Sequence, residues 1–249
     1  MLALITNDDG YEAEGLQKLA REVAKVCEVL IVAPLIDQSA SGHSLTLQRP
    51  LRINKIKSNS YSVDGTPTDA VMVALYGILD NKRKPDILLS GINRGPNMGD
   101  DVTYSGTVSA AFEGAILGIP SIAISSVESE NIDYLSIARF SRKLAKNVLE
   151  RGLPGFTLLN VNMPNPPRKG YRGVQITRLG KRVYRDIVVE NIDPRGKKYY
   201  WIAGEPDWQH LDQSDYSATK AGYISITPLK MDMTDYGFRD ELATWPLKP

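Results

Sequence analysis

The chain has 249 residues, 30 basic against 29 acidic side chains, a formal net charge of +1 and 42% hydrophobic residues. This length holds one large α/β domain or two smaller ones with a sizeable core, while the near-neutral charge excludes a nucleic-acid polymer or a charged membrane surface as a partner met by global electrostatics. The single cysteine, Cys27, excludes an internal disulfide framework, and without an apolar run near the roughly 18 residues of a membrane span, or a basic leader before a long apolar stretch, a cytoplasmic protein is expected.

Residues 2–6 (LALIT) form a short apolar run suited to a buried strand, and residues 14–26 (EGLQKLAREVAKV) repeat apolar side chains at helical spacing. Residues 29–34 (VLIVAP) read as a second buried strand, with Cys27 as a small apolar residue where the helix passes into it. Strand, helix, strand in about 35 residues is a βαβ unit, whose parallel sheet is covered on both faces. The theme recurs: residues 66–79 read as a helix with Thr66 as N-cap, Pro67 at the first position and Asp69 closing a capping box. Next come a strand at 86–91, a helix at 105–118, a strand at 121–126, an amphipathic helix at 132–150 and a strand at 157–164.

After Pro164 the pattern turns to β, and helical signals nearly vanish. GVQITRLG alternates like a half-exposed strand, residues 186–206 read as a protruding hairpin turning at Asp-Pro-Arg-Gly, and YISITPL (223–229) is one more β run. The expected architecture is a Rossmann-like, doubly wound, mainly parallel sheet in one domain spanning 1–249, with a β-rich C-terminal extension. Tyr199, Tyr200 and Trp201 on the hairpin suit stacking on a nucleobase or, the expected role, packing between subunits.

Ligands of such a sheet bind beyond the carboxyl ends of its strands. There the chain gathers Asn7, Asp8, Asp9 and Gly10 after the first strand, Ser39 and Ser41 after the second, and SGINRGPNMGDD after the strand at 86–91. Each loop alone is ordinary turn chemistry, and one acid of the Asp8–Asp9 pair serves equally as a helix cap. Together they offer carboxylates, hydroxyls and amides to a hard divalent cation such as Mg²⁺, Ca²⁺ or Mn²⁺. Gly10 permits the turn that brings both acids to one side. Two histidines and one cysteine are too few for a dedicated zinc cage.

Ser105, Gly106 and Thr107 open a helix whose first N–H groups attract anions, although simple capping by Ser105 explains the same residues. Neither GxxxxGK[ST] nor GxGxxG is present, so a phosphate monoester is the more economical ligand than a nucleoside triphosphate or a dinucleotide. His43 lies in the same loops and is a surface residue or a proton donor to a leaving alkoxide.

TNDDG (6–10), APLIDQSASGHSLT (33–46), GTPTDA (65–70), SGINRGPNMGDDVTYSGTVSAA (90–111) and DPRGKKYYWI (193–202) strongly resemble the survival protein SurE family of nucleotidases, in order and over most of the chain. The resemblance implies a metal-dependent phosphatase of nucleoside 5′-monophosphates and often 3′-monophosphates, with polyphosphate as a further substrate. It implies one divalent cation per subunit on Asp8, Asp9, Ser39 and Asn93, and a phosphate contacted by Asn97, Ser105, Gly106 and Thr107. Asp8, Asp9 and Asn97 are then the catalytic residues. It also implies homodimers or homotetramers, with the hairpin and the segment 230–249 packed on or exchanged with neighbouring subunits. The sequence departs from the family mainly after residue 205 and around Leu35 and Ile36.

The expected reaction is direct hydrolysis, with Asp8 or Asp9 orienting or deprotonating water. A phosphorylation receiver also has acids after its first strand, but the later strand ends SGIN and SIAISS lack its acceptor Asp and its Lys. An aspartyl-phosphate enzyme would need an acid where Asn7 stands. A non-catalytic nucleotide sensor would use the same loops as the hydrolase.

Overall fold

The computed structural model describes residues 1–128, 130–167, 170–184, 188–202 and 206–247. Strand β1 (Leu2–Thr6), helix α1 (Glu14–Val23) and strand β2 (Glu28–Pro34) form the first βαβ unit. Helix α1 stops short of residue 26 because the Lys25 and Val26 N–H groups donate to the carbonyls three residues back, tightening the last turn. Cys27 is half-buried, and burial raises its thiol pKa. Next come β3 (Ile53–Lys57) and β4 (Ser60–Val63), a hairpin the sequence reading did not anticipate. Its first strand is exposed throughout and rich in Lys and Asn, so it carries no apolar period; Asn59, at φ 54°, supplies its turn.

Helix α2 (Pro67–Met72) has the expected capping box: the Thr66 hydroxyl accepts the Asp69 N–H at 3.1 Å and Asp69 Oδ2 accepts the Thr66 N–H at 2.8 Å. Near Gly77, a weak helix former, it continues as a π-helical turn over Val73–Ile78. Strand β5 (Ile87–Asn93), a 3₁₀ turn at Gly99–Thr103, α3 (Gly106–Ile116), β6 (Ser121–Ser126), α4 (Tyr134–Arg151) and β7 (Thr157–Met163) complete the alternating part.

The C-terminal part holds β8 (Val174–Ile176), β9 (Lys181–Tyr184), β10 (Val188–Ile192), β11 (Lys198–Ile202), β12 (Pro206–Gln209), α5 (Asp215–Lys220), β13 (Ile224–Lys230) and α6 (Tyr236–Leu242). The two helices correct the reading that helices vanish here; at six and seven residues they are too short to show a period, though Ser214 and Asp235 cap them. Strands β10 and β11 pair around the Asp193–Gly196 turn, and β9 pairs with β12. Residues 186, 187 and 203–205 of the expected hairpin, and 248–249 of the C-terminal segment, lie outside the described residues.

The main sheet has nine strands in the order β3-β4-β2-β1-β5-β6-β7-β13-β8. Strands β4, β2, β1, β5, β6 and β7 run parallel, whereas β13 lies antiparallel to β7 and so brings residues 224–230 back into the sheet. Alternate residues of β1 feed two cores. Leu2 and Leu4 pack with Leu30, Val32 and Leu88 beneath α2 and α3, while Ala3 and Ile5 pack with Ile31, Ile87 and Leu89 beneath α1 and α4. The result is the expected α/β sandwich. Its strand order reverses between β1 and β5, the switch point where a doubly wound sheet opens a crevice. Among the described residues no helix is long and apolar enough to cross a membrane.

Candidate active site

NDDG stands at the end of β1, at that switch point. Asn7 Nδ2 donates to the Gly10 carbonyl at 2.9 Å, and Gly10 takes φ 96°, so the chain turns sharply after the two acids. The Asp8 carbonyl accepts the Gln38 N–H at 2.8 Å, tying this turn to the loop after β2. Asp9 Oδ2 accepts the Arg94 N–H at 3.1 Å, tying it to the loop after β5. Asp8 Oδ2 accepts the Thr107 N–H at 3.0 Å, and the Thr107 hydroxyl donates to Oδ1, tying it to the first turn of α3. Four segments distant in sequence therefore meet at two adjacent acids.

A cleft of about 630 Å³ opens above them, and Asp8, Ser39, Asn93, Asn97 and Ser105 all line it. Ser39 is held by Asp37 Oδ1, which accepts its N–H at 2.7 Å and its hydroxyl at 2.6 Å. Asn93 Nδ2 donates to the Gly95 carbonyl at 2.8 Å. Ser105 caps α3, its hydroxyl accepting the Val108 N–H at 3.0 Å. Gly106 is required by space, because a Cβ there would lie 2.7 Å from Ser41 Oγ and 2.9 Å from Asp8 Cβ.

Asn97 is gripped from β6 and β7. Its N–H donates to Asn162 Oδ1 at 2.9 Å, its carbonyl accepts Asn160 Nδ2 and Asn162 Nδ2 at 2.9 Å each, and its own Nδ2 donates to Ser125 Oγ at 2.8 Å. Asn160 and Asn162 were not anticipated, although two amides in an otherwise apolar strand are a readable signal. His43 Nε2 lies 2.8 Å from Glu113 Oε2, midway along α3, and the residue is not among those lining the cleft. Thr107 turns its hydroxyl and N–H to Asp8, leaving Ser105 and Gly106 as the nearer groups for an anion.

The electrostatics of the pair are unfavourable by themselves. Burial raises the Asp8 pKa, against the lowering effect of the Thr107 hydrogen bonds. Burial, followed by the charge of Asp8, pushes Asp9 up to about 6. Two crowded carboxylates beside a hydroxyl and an amide match the hard-oxygen donor set of a divalent cation. Among the described residues no three His, Cys, Asp or Glu side chains group as metal ligands, so neutral oxygens such as those of Ser39 and Asn93 would complete the shell. The buried Asn7 Oδ1 and Ser41 Oγ, without hydrogen-bond partners among the described residues, add unclaimed oxygens beside it.

The same cleft is also lined by Asp101, Tyr104, Arg182 and Ile202, none of them foreseen as site residues. Arg182 NH1 is ion-paired with Asp101 Oδ2, joining the 3₁₀ turn to β9.

Known proteins resemble the whole arrangement. A family model described as Survival protein SurE matches residues 3–186. The chain is 49% identical over 249 residues to the 5′-nucleotidase SurE of Geotalea daltonii, covering 99% of this chain and 100% of that protein. It is 47% identical to the 5′-nucleotidase SurE of Symbiobacterium thermophilum, covering 99% and 98% of the two chains. The crystal structure of the SurE protein from Aquifex aeolicus superposes with a TM-score of 0.88 at 45% identity, over 97% of this chain and 98% of that one.

Proposed function

The chain belongs to the Survival protein SurE family, and we propose from that membership and the cleft geometry that it hydrolyses nucleoside 5′-monophosphates to nucleoside and phosphate. The observation that supports this most is the gathering of Asp8, Ser39, Asn93 and Ser105 around one cleft, with Asp9 next to Asp8 and tied to the loop after β5. Asp8, Asp9, Ser39 and Asn93 would hold one divalent cation per subunit, Mg²⁺ or Mn²⁺. When bound, such a cation neutralises phosphoryl charge and lowers the pKa of water.

The remaining work falls to the chain. The N–H groups at Ser105 and Gly106 and the Asn97 amide hold phosphate oxygens, at the end of α3 where the helix dipole favours negative charge. Asn97 suits this role because its peptide and its Nδ2 are already fixed by Asn160, Asn162 and Ser125. Asp8 is locked by two hydrogen bonds from Thr107, whereas Asp9 has one, from Arg94. Asp9 is therefore the acid freer to orient the attacking water in line with the leaving 5′-oxygen. 3′-Monophosphates and polyphosphate are further candidate substrates through the family resemblance alone.

A single unit over 1–249 is supported by the return of β13 to the main sheet. Assembly into dimers or tetramers is supported by exposed Trp201 and Ile202 on the β10–β11 hairpin and by exposed Phe238 and Trp245 near α6. A cytoplasmic location is supported by the single cysteine.

The test is phosphate release from a panel of nucleoside monophosphates with Mg²⁺, Mn²⁺ or a chelator. Cation-dependent release is expected. Nucleotide binding without release would make the chain a sensor and overturn the hydrolase reading.

A further inference from the structure

Asp215, the first residue of α5, is 0% exposed and has no ion-pair partner among the described residues. Its Oδ2 accepts the Gly99 N–H at 2.9 Å; its Oδ1 accepts the Gly180 N–H at 2.8 Å and its neighbour Tyr216's N–H at 2.8 Å. A buried carboxylate without a cation is costly, so backbone donors have to compensate it. Here the two distant donors come from segments that otherwise share no strand ladder, the 3₁₀ turn after β5 and the entry to β9.

Those segments lie side by side in register. Gly99 takes φ 54°, and a Cβ on it would lie 2.8 Å from the Gly180 carbonyl oxygen, so the backbones touch. One residue on, Lys181 Nζ lies 3.0 Å from Asp100 Oδ2; one further, Arg182 pairs with Asp101. Asp215 pins the start of this run of pairs. The next residue secures its end: Tyr216 stacks on Trp208 at 4.7 Å with a 7° tilt, and the Arg182 guanidinium sits 5.8 Å over Trp208. One turn of chain, Asp215-Tyr216, thus holds both the backbone approach to Arg182 and its side chain.

We propose that Asp215 is a positioning residue that sets Asp101 and Arg182 in the wall facing the nucleoside half of the substrate. The proposal rests on the nucleotidase reading. With the phosphate taken by Asn97 and the α3 start, Asp101, Tyr104, Arg182 and Ile202 are lining groups of the same cleft left to meet the sugar and base. That wall offers a charged pair for hydroxyls or base edges and an exposed aromatic face for stacking. Asp215 and Tyr216 lie beyond residues 3–186, the part the family model matches.

The test is Asp215→Asn, which keeps the shape but turns one accepting oxygen into an NH₂ group facing an N–H donor. With adenosine 5′-monophosphate, KM should rise about tenfold while kcat stays within about threefold. The inhibition constant of inorganic phosphate, which has no nucleoside, should stay within about twofold of wild type. Arg182→Ala should reproduce this split, and adding Asp215→Asn to it should cost little more. An unchanged KM, equal weakening of nucleotide and phosphate, or fully additive losses would overturn the proposal. If Asp215→Asn does not fold, Gly180→Ala tests the same contact with the same expectations, since its Cβ would lie 2.8 Å from Asp215 Oδ1. Failure of the nucleotidase reading shows separately, as wild-type protein that releases no phosphate. Calorimetric binding of adenosine 5′-monophosphate to wild type and variant then decides the role of Asp215 alone, with equal affinity overturning it.

Discussion

Asp8 and Thr107 are bonded twice, backbone N–H to Oδ2 at 3.0 Å and hydroxyl to Oδ1, across 99 residues of chain. The end of the first strand and the first turn of α3 are thereby one rigid object. Thr107→Val keeps the shape and removes one donor from a buried carboxylate, a loss of about 1–3 kcal/mol. The Thr107 bonds oppose the burial that raises the Asp8 pKa, so the variant should also bind a divalent cation more weakly. Thermal melts at graded Mn²⁺ concentrations would show both effects, and unchanged melts would refute them.

Asp9→Asn separates function from stability. Removing one of two crowded carboxylates relieves repulsion, so the chelator-treated variant should melt at or above the wild-type temperature. Phosphate release should nevertheless fall by about 100-fold or more, as expected when an electrostatic ligand is lost. A variant that keeps its activity would remove Asp9 from the site.

The same pair predicts an unusual pH profile for the metal-free protein. Asp9 rises from 3.8 to about 6 on folding, and Asp8 also rises, so the folded state binds more protons than the unfolded one in that window. The Asp9 contribution is full below about pH 4 and is lost as pH climbs through about 6, and the rise of Asp8 acts in the same direction. A saturating divalent cation prefers the ionised pair, so its stabilisation should grow over the same interval. Melting wild type and Asp9→Asn in chelator from pH 4 to 7 isolates the effect: the wild type should lose stability relative to the variant as pH rises.

Gly106→Ala reverses an ordinary expectation. Ala in place of Gly in a helix gains up to about 1 kcal/mol. Here the new methyl would meet Ser41 Oγ and Asp8 Cβ at under 3 Å, and overpacking costs about 1–3 kcal/mol. The variant should melt lower than wild type and lose activity; a higher melting temperature would show that the loop after β2 gives way freely.

Trp201 is 63% exposed on the β10–β11 hairpin, a large apolar area for a free monomer. If the hairpin packs between subunits, Trp201→Glu should lower the mass measured by light scattering without changing the far-ultraviolet circular dichroism. An unchanged mass would shift the interface to the region of α6.

The alternating core was legible because each parallel strand is buried on both faces and each long helix repeats its apolar stripe, so LALIT and VLIVAP read as strands without any tertiary knowledge. That Asp8, Ser39 and Asn93 come together at one edge was legible because a doubly wound sheet delivers strand ends there. The β3–β4 hairpin was not, since an exposed edge strand of Lys and Asn buries nothing that leaves a pattern. Arg182 and Asp215 were also hidden: their place beside Asp101 and Gly99 depends on how a short ribbon and a six-residue helix fold back, and no local period encodes that.

Strand β13 sits between β7 and β8, so the β7 edge lacks its neighbour until residues 224–230 are available. During synthesis at roughly 5–20 residues per second, that edge stays open for seconds after β7 itself has emerged. The sheet is thus completed from its own last-made strand, and a chain stalled before residue 224 would leave the ribosome-bound domain with β7 paired to β6 on one side and open on the other, the kind of edge on which chaperones and aggregation compete.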